Sequence, residues 1–560
     1  MPLFIKVLFA SLFLFSCGEA TDEAKTRAKI FLNGTIYTGD DANPVVEAVV
    51  VEGNRIVFVG AEQEALKTAP DGAVVDLGGA YMYPGFTDAH THLRAVGNRE
   101  QTLNLEGTSS LAELVEKIKT RIESASPGEV ITGRGWIETH WPEGRFPTAA
   151  DLDAISPANP VILIRADGHA AVVNTSMMNA AGLTATTEVP FGGDVVLDEA
   201  GNPNGILIDA AMSLVAEIAF SDPSQQEIIN MYQVGGAVYN AYGWTGVHSM
   251  SVPLADVQLI EGLARDGHLT LRVYNSLNGG NPEVLGFFSN RIQTPQNGLI
   301  TTRAIKLYID GSLGSRGAIL LEPYSDDETT GLQQMKKELV MPILIEALKA
   351  GIQINTHAIG DGGNRLLLDW YEEAFAAVPA DQRAIAEPRW RDEHAQILNL
   401  ADIPRFAELG VIPSMQPSHA IGDLHFAPER LGLERLSGAY AWRLLIDAGA
   451  IIAGGTDAPV ERGDPRVEFY AAVARKDLSG FSGQGWHPEL AVSREEALKM
   501  FTIWPAYAAF MEDDLGTIEA GKLADFTVFS GDIMTIPEAE ILEVEVVMTV
   551  VDGKIIYRRD

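Results

Sequence analysis

Short β-branched runs joined by two-residue turns mark both ends of the chain. Near the start, AVVVEGNRIVFVG (48–60) turns at Gly53 and Asn54, and near the end VVMTVVDGKIIYRRD (546–560) turns at Asp552 and Gly553. Neither end holds enough strands for a core of its own. Residues 28–84 and 514–560 are therefore expected to meet as one small β-sandwich. Between them, apolar strand-like runs alternate with helix-length segments such as Val340 to Ala350, the pattern of parallel β/α units. Eight candidate strands can be read: YMYPGFTDAH, GWTGVHS, LTLRVYN, RAIKLYID, IQINTH, RDEHAQI, GVIPSMQ and IAGGTD. Eight such units predict an α/β fold, a TIM-type (β/α)8 barrel over residues 85–513. One interval is too long for a single helix. The stretch from Leu93 to Trp244 predicts a large insertion after the first barrel strand, centred on residues 111–209.

Composition supports a large buried core, since 46% of the 560 residues are hydrophobic and only 21% are charged. The 41 basic and 76 acidic residues leave a net charge of −35, which repels nucleic acid and anionic membrane and leaves a small molecule as the expected partner. The first residues differ from the rest: Lys6, the apolar run Val7 to Phe15, then Ser16, Cys17 and Gly18. That run is too short to span a bilayer and has the layout of a secretory signal, so export is expected. Cys17 is the only cysteine, which excludes a disulfide within the chain. The sequence LFSC resembles the lipobox of bacterial lipoproteins, which implies cleavage after residue 16, lipidation at Cys17 and a polar tether over residues 18–27. Gly18 in place of Asp points to the outer membrane, with the protein on the periplasmic side. An ordinary signal peptide that removes Cys17 is the alternative.

Chemistry enters at the C-terminal strand ends, where barrel enzymes build their sites. The first strand ends in His90-Thr91-His92, whose alternation puts both imidazoles on one face. The fourth carries Lys306, the fifth ends in His357, the sixth in His394 and the eighth in Asp457. Any one of these has an ordinary structural explanation, because strand histidines are commonly hydrogen-bonded core residues. Six metal-compatible positions on five strand ends are a poor match to chance. Lys306 is the odd member: an ammonium repels cations, and a salt bridge to Asp310 is its simplest role by composition.

PGFTDAHTHL, THAIGD, EHAQ and GTDAPV resemble the metal-site motifs of the amidohydrolase superfamily. LYIDGSLGSRGA and IRADGHAAVVN resemble, more narrowly, the amidohydrolase family 3 branch called YtcJ-like, which includes N-substituted formamide deformylases. The likeness runs from about Lys29 to the end. It implies that Lys306 takes up carbon dioxide to form a carbamate bridging two divalent ions, zinc being the metal expected from the ligand types. It further implies that His90, His92 and Asp457 hold one ion and that His357 and His394 hold the other. One or two ions are compatible with the set. The expected reaction is hydrolysis of a C–N amide-type bond in an N-formyl amine, N-acyl compound or cyclic amide. Water activated by metal attacks the carbonyl, and Asp457 acts as general base. His169 and Arg316 lie within motifs of the branch and are candidate substrate-binding residues, a loop-fixing salt bridge being the alternative for Arg316. Trp136, Trp141 and Phe146 line an apolar pocket or form the insertion's own core. His248 is expected behind the ligands rather than among them. Deamination and lactone or ester hydrolysis remain as alternative reactions, although His357 is followed by AIGDGG, without the glutamate typical of the deaminases. A non-catalytic solute-binding lipoprotein is the reading from another class.

Overall fold

Eight parallel strands follow one another in chain order in the computed structural model, which describes residues 27–219, 223–290, 298–482 and 486–559. They are β1 (Phe86–Thr91), β2 (Trp244–Val252), β3 (Arg272–Asn278), β4 (Ile300–Tyr308), β5 (Gln353–Ala358), β6 (Arg391–His394), β7 (Ile412–Met415) and β8 (Ala453–Gly454). Each pairs in parallel with the next. Past the short β8, the Asp457 N–H donates to the His90 carbonyl at 2.6 Å and the His92 N–H to the Ala458 carbonyl at 2.9 Å, closing the ring. The expected TIM-type barrel is present. Helices such as Lys337–Ala350 and Asp361–Ala377 cover its outside, so strands like Gln353–Ala358 are buried along their whole length. Cys17 and the expected tether up to residue 26 lie outside the described residues.

Both chain ends build a separate β domain, as the hairpin patterns predict. Its four-stranded sheet runs in the order Arg55–Gly60, Ala48–Glu52, Lys29–Leu32, Ala73–Asp76. Its six-stranded sheet runs Lys554–Arg558, Val546–Val551, Phe526–Phe529, Tyr81–Pro84, Thr35–Tyr37, Val45–Val46. Phe31, Val49, Ile56, Met82, Phe526 and Met548 share the core between them. The segment YMYPGFTDAH, expected as one strand, serves two sheets: Tyr81–Pro84 pairs with Phe526–Phe529, whereas Phe86–Thr91 enters the barrel. Gly85 is the crossing point. Its N–H donates to the Asp525 carbonyl at 2.8 Å, and a Cβ there would lie 2.3 Å from Thr245 Oγ1. The buried Arg272 of β3 ties the two units together through the carboxylates of Asp525 and Asp552.

The insertion between β1 and β2 carries its own six-stranded sheet, in the order Gly193–Leu197, Pro203–Asp209, Ala170–Val173, Val161–Arg165, Ile131–Trp136, Leu103–Asn104. Its first strand precedes the expected start at residue 111, because a two-residue edge strand leaves little mark in a hydrophobic pattern. Trp136 packs against Trp141 and Phe146 with ring centroids 6.3 and 5.7 Å apart. With the Trp136 Nε1–H donating to the Leu163 carbonyl at 2.9 Å, these aromatics form the insertion's core.

Helix Leu93–Arg99, which begins directly after His92, lies against helix Gln225–Tyr242. A Cβ on Gly97 would sit 1.8 Å from the Met231 carbonyl oxygen, and one on Gly235 would sit 2.5 Å from that of Leu93. Backbones this close admit only glycine. Gly97→Val is expected to lower the thermal midpoint, at a cost of about 1–3 kcal/mol from overpacking. An unchanged melting curve would show that the two helices are free to separate.

Candidate metal centre

The closing seam of the barrel assembles the first part of the site. Asp88 of β1 is buried and accepts from the N–H groups of His90 (3.0 Å) and Thr456 (2.9 Å), from the Thr456 hydroxyl (2.6 Å) and from Tyr239 (2.9 Å). This one carboxylate clamps both sides of the seam. Gly455 allows the approach, since a Cβ there would lie 2.5 Å from the His90 nitrogen. Asp457 then turns out of the strand at φ 57°, a left-handed conformation of the kind that costs about 1–3 kcal/mol and clusters at functional sites. Its Oδ1 lies 3.2 Å from His92 Nε2 and 3.5 Å from His90 Nε2.

The other side of Asp457 meets a second group of imidazoles. Its Oδ2 is 3.9 Å from His394 Nδ1 and 3.7 Å from His419 Nε2. The His394 ring stands 4.7 Å from that of His90 and 4.5 Å from that of His357. His394, too, has a positive φ, 86°. Lys306 of β4 completes the set. His92, Lys306, His357, His394 and Asp457 line one cavity of about 270 Å3, with Arg134, Asp167 and His169 of the insertion on the facing wall. All six sequence-derived ligand candidates therefore meet at one place, with His90 packed against His92 and His394. A wider cavity of about 790 Å3 shares His92 and Ala95 with this one.

Supporting groups hold the imidazoles in position. His90 Nδ1–H donates to Glu393 Oε2 at 2.5 Å, and Arg391 pairs with Glu393 at 2.7 Å. Arg391 also donates to His248 Nδ1 at 2.9 Å, which puts His248 behind the ligands as the sequence suggested. His394 Nδ1 faces Gln416 Oε1 at 2.9 Å, while Gln416 Nε2 donates to the Ser414 carbonyl at 3.1 Å, leaving His394 Nε2 for another partner. Partners of this kind set the tautomer and orientation of metal-binding imidazoles.

The donor atoms fit a cation. His90 Nε2, His419 Nε2, Asp457 Oδ1 and Lys306 Nζ are all buried without a hydrogen-bond partner. Leaving such groups unpaired costs roughly 1–3 kcal/mol each. Burial pushes His90, His357 and His394 well below the usual histidine range, so each offers a lone pair. Burial works to raise Asp457, but the imidazoles of His90 and His92 hold it below the ordinary carboxylate range. Lys306 is drawn down to about 8 by burial, which favours the neutral amine. His169 behaves oppositely. Burial disfavours its charge, yet Asp209, 2.5 Å from Nδ1, holds it up at about 9.

Two placements depart from the sequence reading. Arg316 does not reach the cavity: Asp326, ten residues further on, takes its Nε at 3.2 Å and Nη2 at 2.8 Å, the loop-fixing role. His419 was not singled out. It sits in helix Pro417–Asp423, just past β7, whose strand end carries no ligand type of its own. Extending the search one helical turn beyond each strand would have found it. Glu393, next to His394 in the sequence, was not singled out either.

Comparison with known proteins agrees with this architecture. The model of the amidohydrolase family matches residues 73–557. The putative amidohydrolase YtcJ of Bacillus subtilis is 31% identical, with 95% of this chain and 99% of that protein aligned. The N-substituted formamide deformylase of Arthrobacter pascens is 29% identical, over 95% of this chain and 99% of that protein. A crystal structure of an uncharacterized metal-dependent hydrolase from Pyrococcus horikoshii superposes with a TM-score of 0.71 at 29% identity, covering 91% of this chain and 99% of that one. With its barrel-mouth histidines, its β domain from both termini and a family match across most of its length, this chain belongs to the amidohydrolase family.

Proposed function

We propose that this hydrolase cleaves amide-type C–N bonds of small molecules, using one or two divalent ions, zinc by preference, held by His90, His92, His357, His394 and Asp457. The observation that carries the reading is the convergence of His92, Lys306, His357, His394 and Asp457 on one cavity at the barrel mouth, with Lys306 Nζ and Asp457 Oδ1 buried there and unpartnered. The similarity to an N-substituted formamide deformylase supports the choice of bond. Bound there, such ions make a water acidic enough to attack at neutral pH and polarise the scissile carbonyl.

Lys306 joins the ligand set as a carbamate. Burial lowers its pKa to about 8 and raises the share of neutral amine, the form that adds carbon dioxide with loss of a proton, and the resulting carbamate anion would supply oxygen ligands to the ions. Asp457 handles the proton. It lies between the two imidazole groups, so it can take the proton that the attacking water loses and return it to the leaving nitrogen. His169, held charged by Asp209 on the opposite wall, donates to the carbonyl oxygen as it gains charge. Water and amide together yield a carboxylate and an amine.

Metal-loaded protein is expected to release amine from at least one of N-formyl amines, N-acyl compounds or cyclic amides, to stop on chelation and to recover when metal returns. Fully loaded protein that leaves every amide class intact would overturn the assignment. Lys306→Ala is expected to bind fewer ions per chain by elemental analysis and to lose at least tenfold in kcat; full metal content with full activity would remove the carbamate from the scheme. Asp457→Asn is expected to reduce kcat by about 10²–10⁴-fold, the usual worth of a general base. Retention of both metal and turnover in that variant would reassign the proton transfer.

A further inference from the structure

Arg134 is a cationic group that the metal centre does not explain. It belongs to the insertion strand Ile131–Trp136, and its side chain lines the same cavity as Lys306, His357 and Asp457. One nitrogen, Nη2, donates to the Ala166 carbonyl at 3.0 Å, whereas Nε is buried with no partner. Gly168 leaves room for the guanidinium, since a Cβ at that position would lie 3.1 Å from Nη2.

Neighbouring arginines are neutralised by carboxylates. Arg165 meets Glu138 and Asp167, Arg391 meets Glu393, Arg94 meets Asp256 and Arg316 meets Asp326. Arg134 makes no ion pair among the described residues. The nearest anions are already engaged: Asp167 accepts from Arg165, Ser312 and the His169 N–H, and Asp457 faces four imidazoles. A largely desolvated guanidinium without a counter-charge is costly. Its planar fork of donors matches a carboxylate, and charge-assisted pairs of this type are the strong ones. His169, whose Nδ1 lies 2.5 Å from Asp209 Oδ1, lines the same cavity.

We propose that Arg134 binds a carboxylate of the substrate, so that the substrate is an amide carrying an anionic group near its scissile bond, of the N-acyl amino acid type. This rests on the amide reading above. With a net charge of −35, the rest of the molecule repels such anions, and attraction is confined to the cavity.

The test pairs turnover with binding. N-benzoylglycine and its primary amide serve as substrates for the metal-loaded wild type. The ketones 3-benzoylpropanoate and 3-benzoylpropanamide, with CH2 in place of the scissile nitrogen, serve as non-hydrolysable ligands in calorimetry. Wild type is expected to bind the ketone carboxylate about 10- to 100-fold more tightly than the ketone amide, the range of a hydrogen bond to a charged group. In Arg134→Gln that ratio is expected to fall to near unity. Arg134→Lys, which keeps the charge and loses the fork, is expected to fall between and stands in for the glutamine variant if that protein does not fold. Equal or absent binding of the two ketones by wild type, or a ratio unchanged in both variants, overturns the proposal. Because the ketones need no turnover, an intact ratio without hydrolysis of N-benzoylglycine sinks only the amide reading. Hydrolysis without any ratio sinks only the carboxylate site.

Discussion

The seam where β8 meets β1 is the constraint on which the rest of the molecule depends. Three backbone hydrogen bonds and the buried carboxylate of Asp88 draw residues 88–92 against residues 455–458. His90, His92 and Asp457 become neighbours only through that closure, although more than 360 residues separate them in the chain. Every device at the seam serves close approach: glycine at 455, left-handed backbone at Asp457 and a serial clamp of hydroxyls from Thr456 and Tyr239. The β domain follows from the same need. Gly85 passes the chain straight from the sandwich into β1, and the Arg272–Asp525 pair ties the sandwich to the adjacent strands.

Barrel and insertion divide the chemistry between them. The barrel contributes imidazoles, a buried lysine and an aspartate, the candidate ligands of the proposed cations. The insertion adds Arg134, Asp167 and His169 to the same cavity, Arg134 being the proposed anion-binding group. A cavity with cation-holding atoms on one wall and anion-holding atoms on the other suits a substrate with a polar reacting centre and a negative substituent.

Much of the ligand set could be read from position alone. His357 and His394 lie at the C-terminal ends of strands and Asp457 just past one, where barrel enzymes gather their chemistry. Lys306 was harder, since its burial and lack of a partner, the facts that make an ammonium unsuitable there, exist only in three dimensions. His419 was missed because it stands on a helix, and helical periodicity carries no sign of which residue looks back into the barrel. Arg316 and Arg134 show the same limit from opposite sides. Both are arginines in polar stretches of sequence, yet Asp326 captures one, whereas the other meets the Ala166 carbonyl and, among the described residues, no carboxylate.

The order of apolar and polar residues determined the strands, their number, the hairpins at the two ends and the presence of a long insertion, because those features follow from local periodicity and turn chemistry. The tertiary structure decided which polar groups face one another. Strand ends far apart in sequence converge through barrel closure, and whether a buried charge is met by an opposite one depends on side chains brought in from other elements. Pairing is a property of distance, and in this chain the distances that matter are set by the seam at Asp88 and by the fold of the insertion over it.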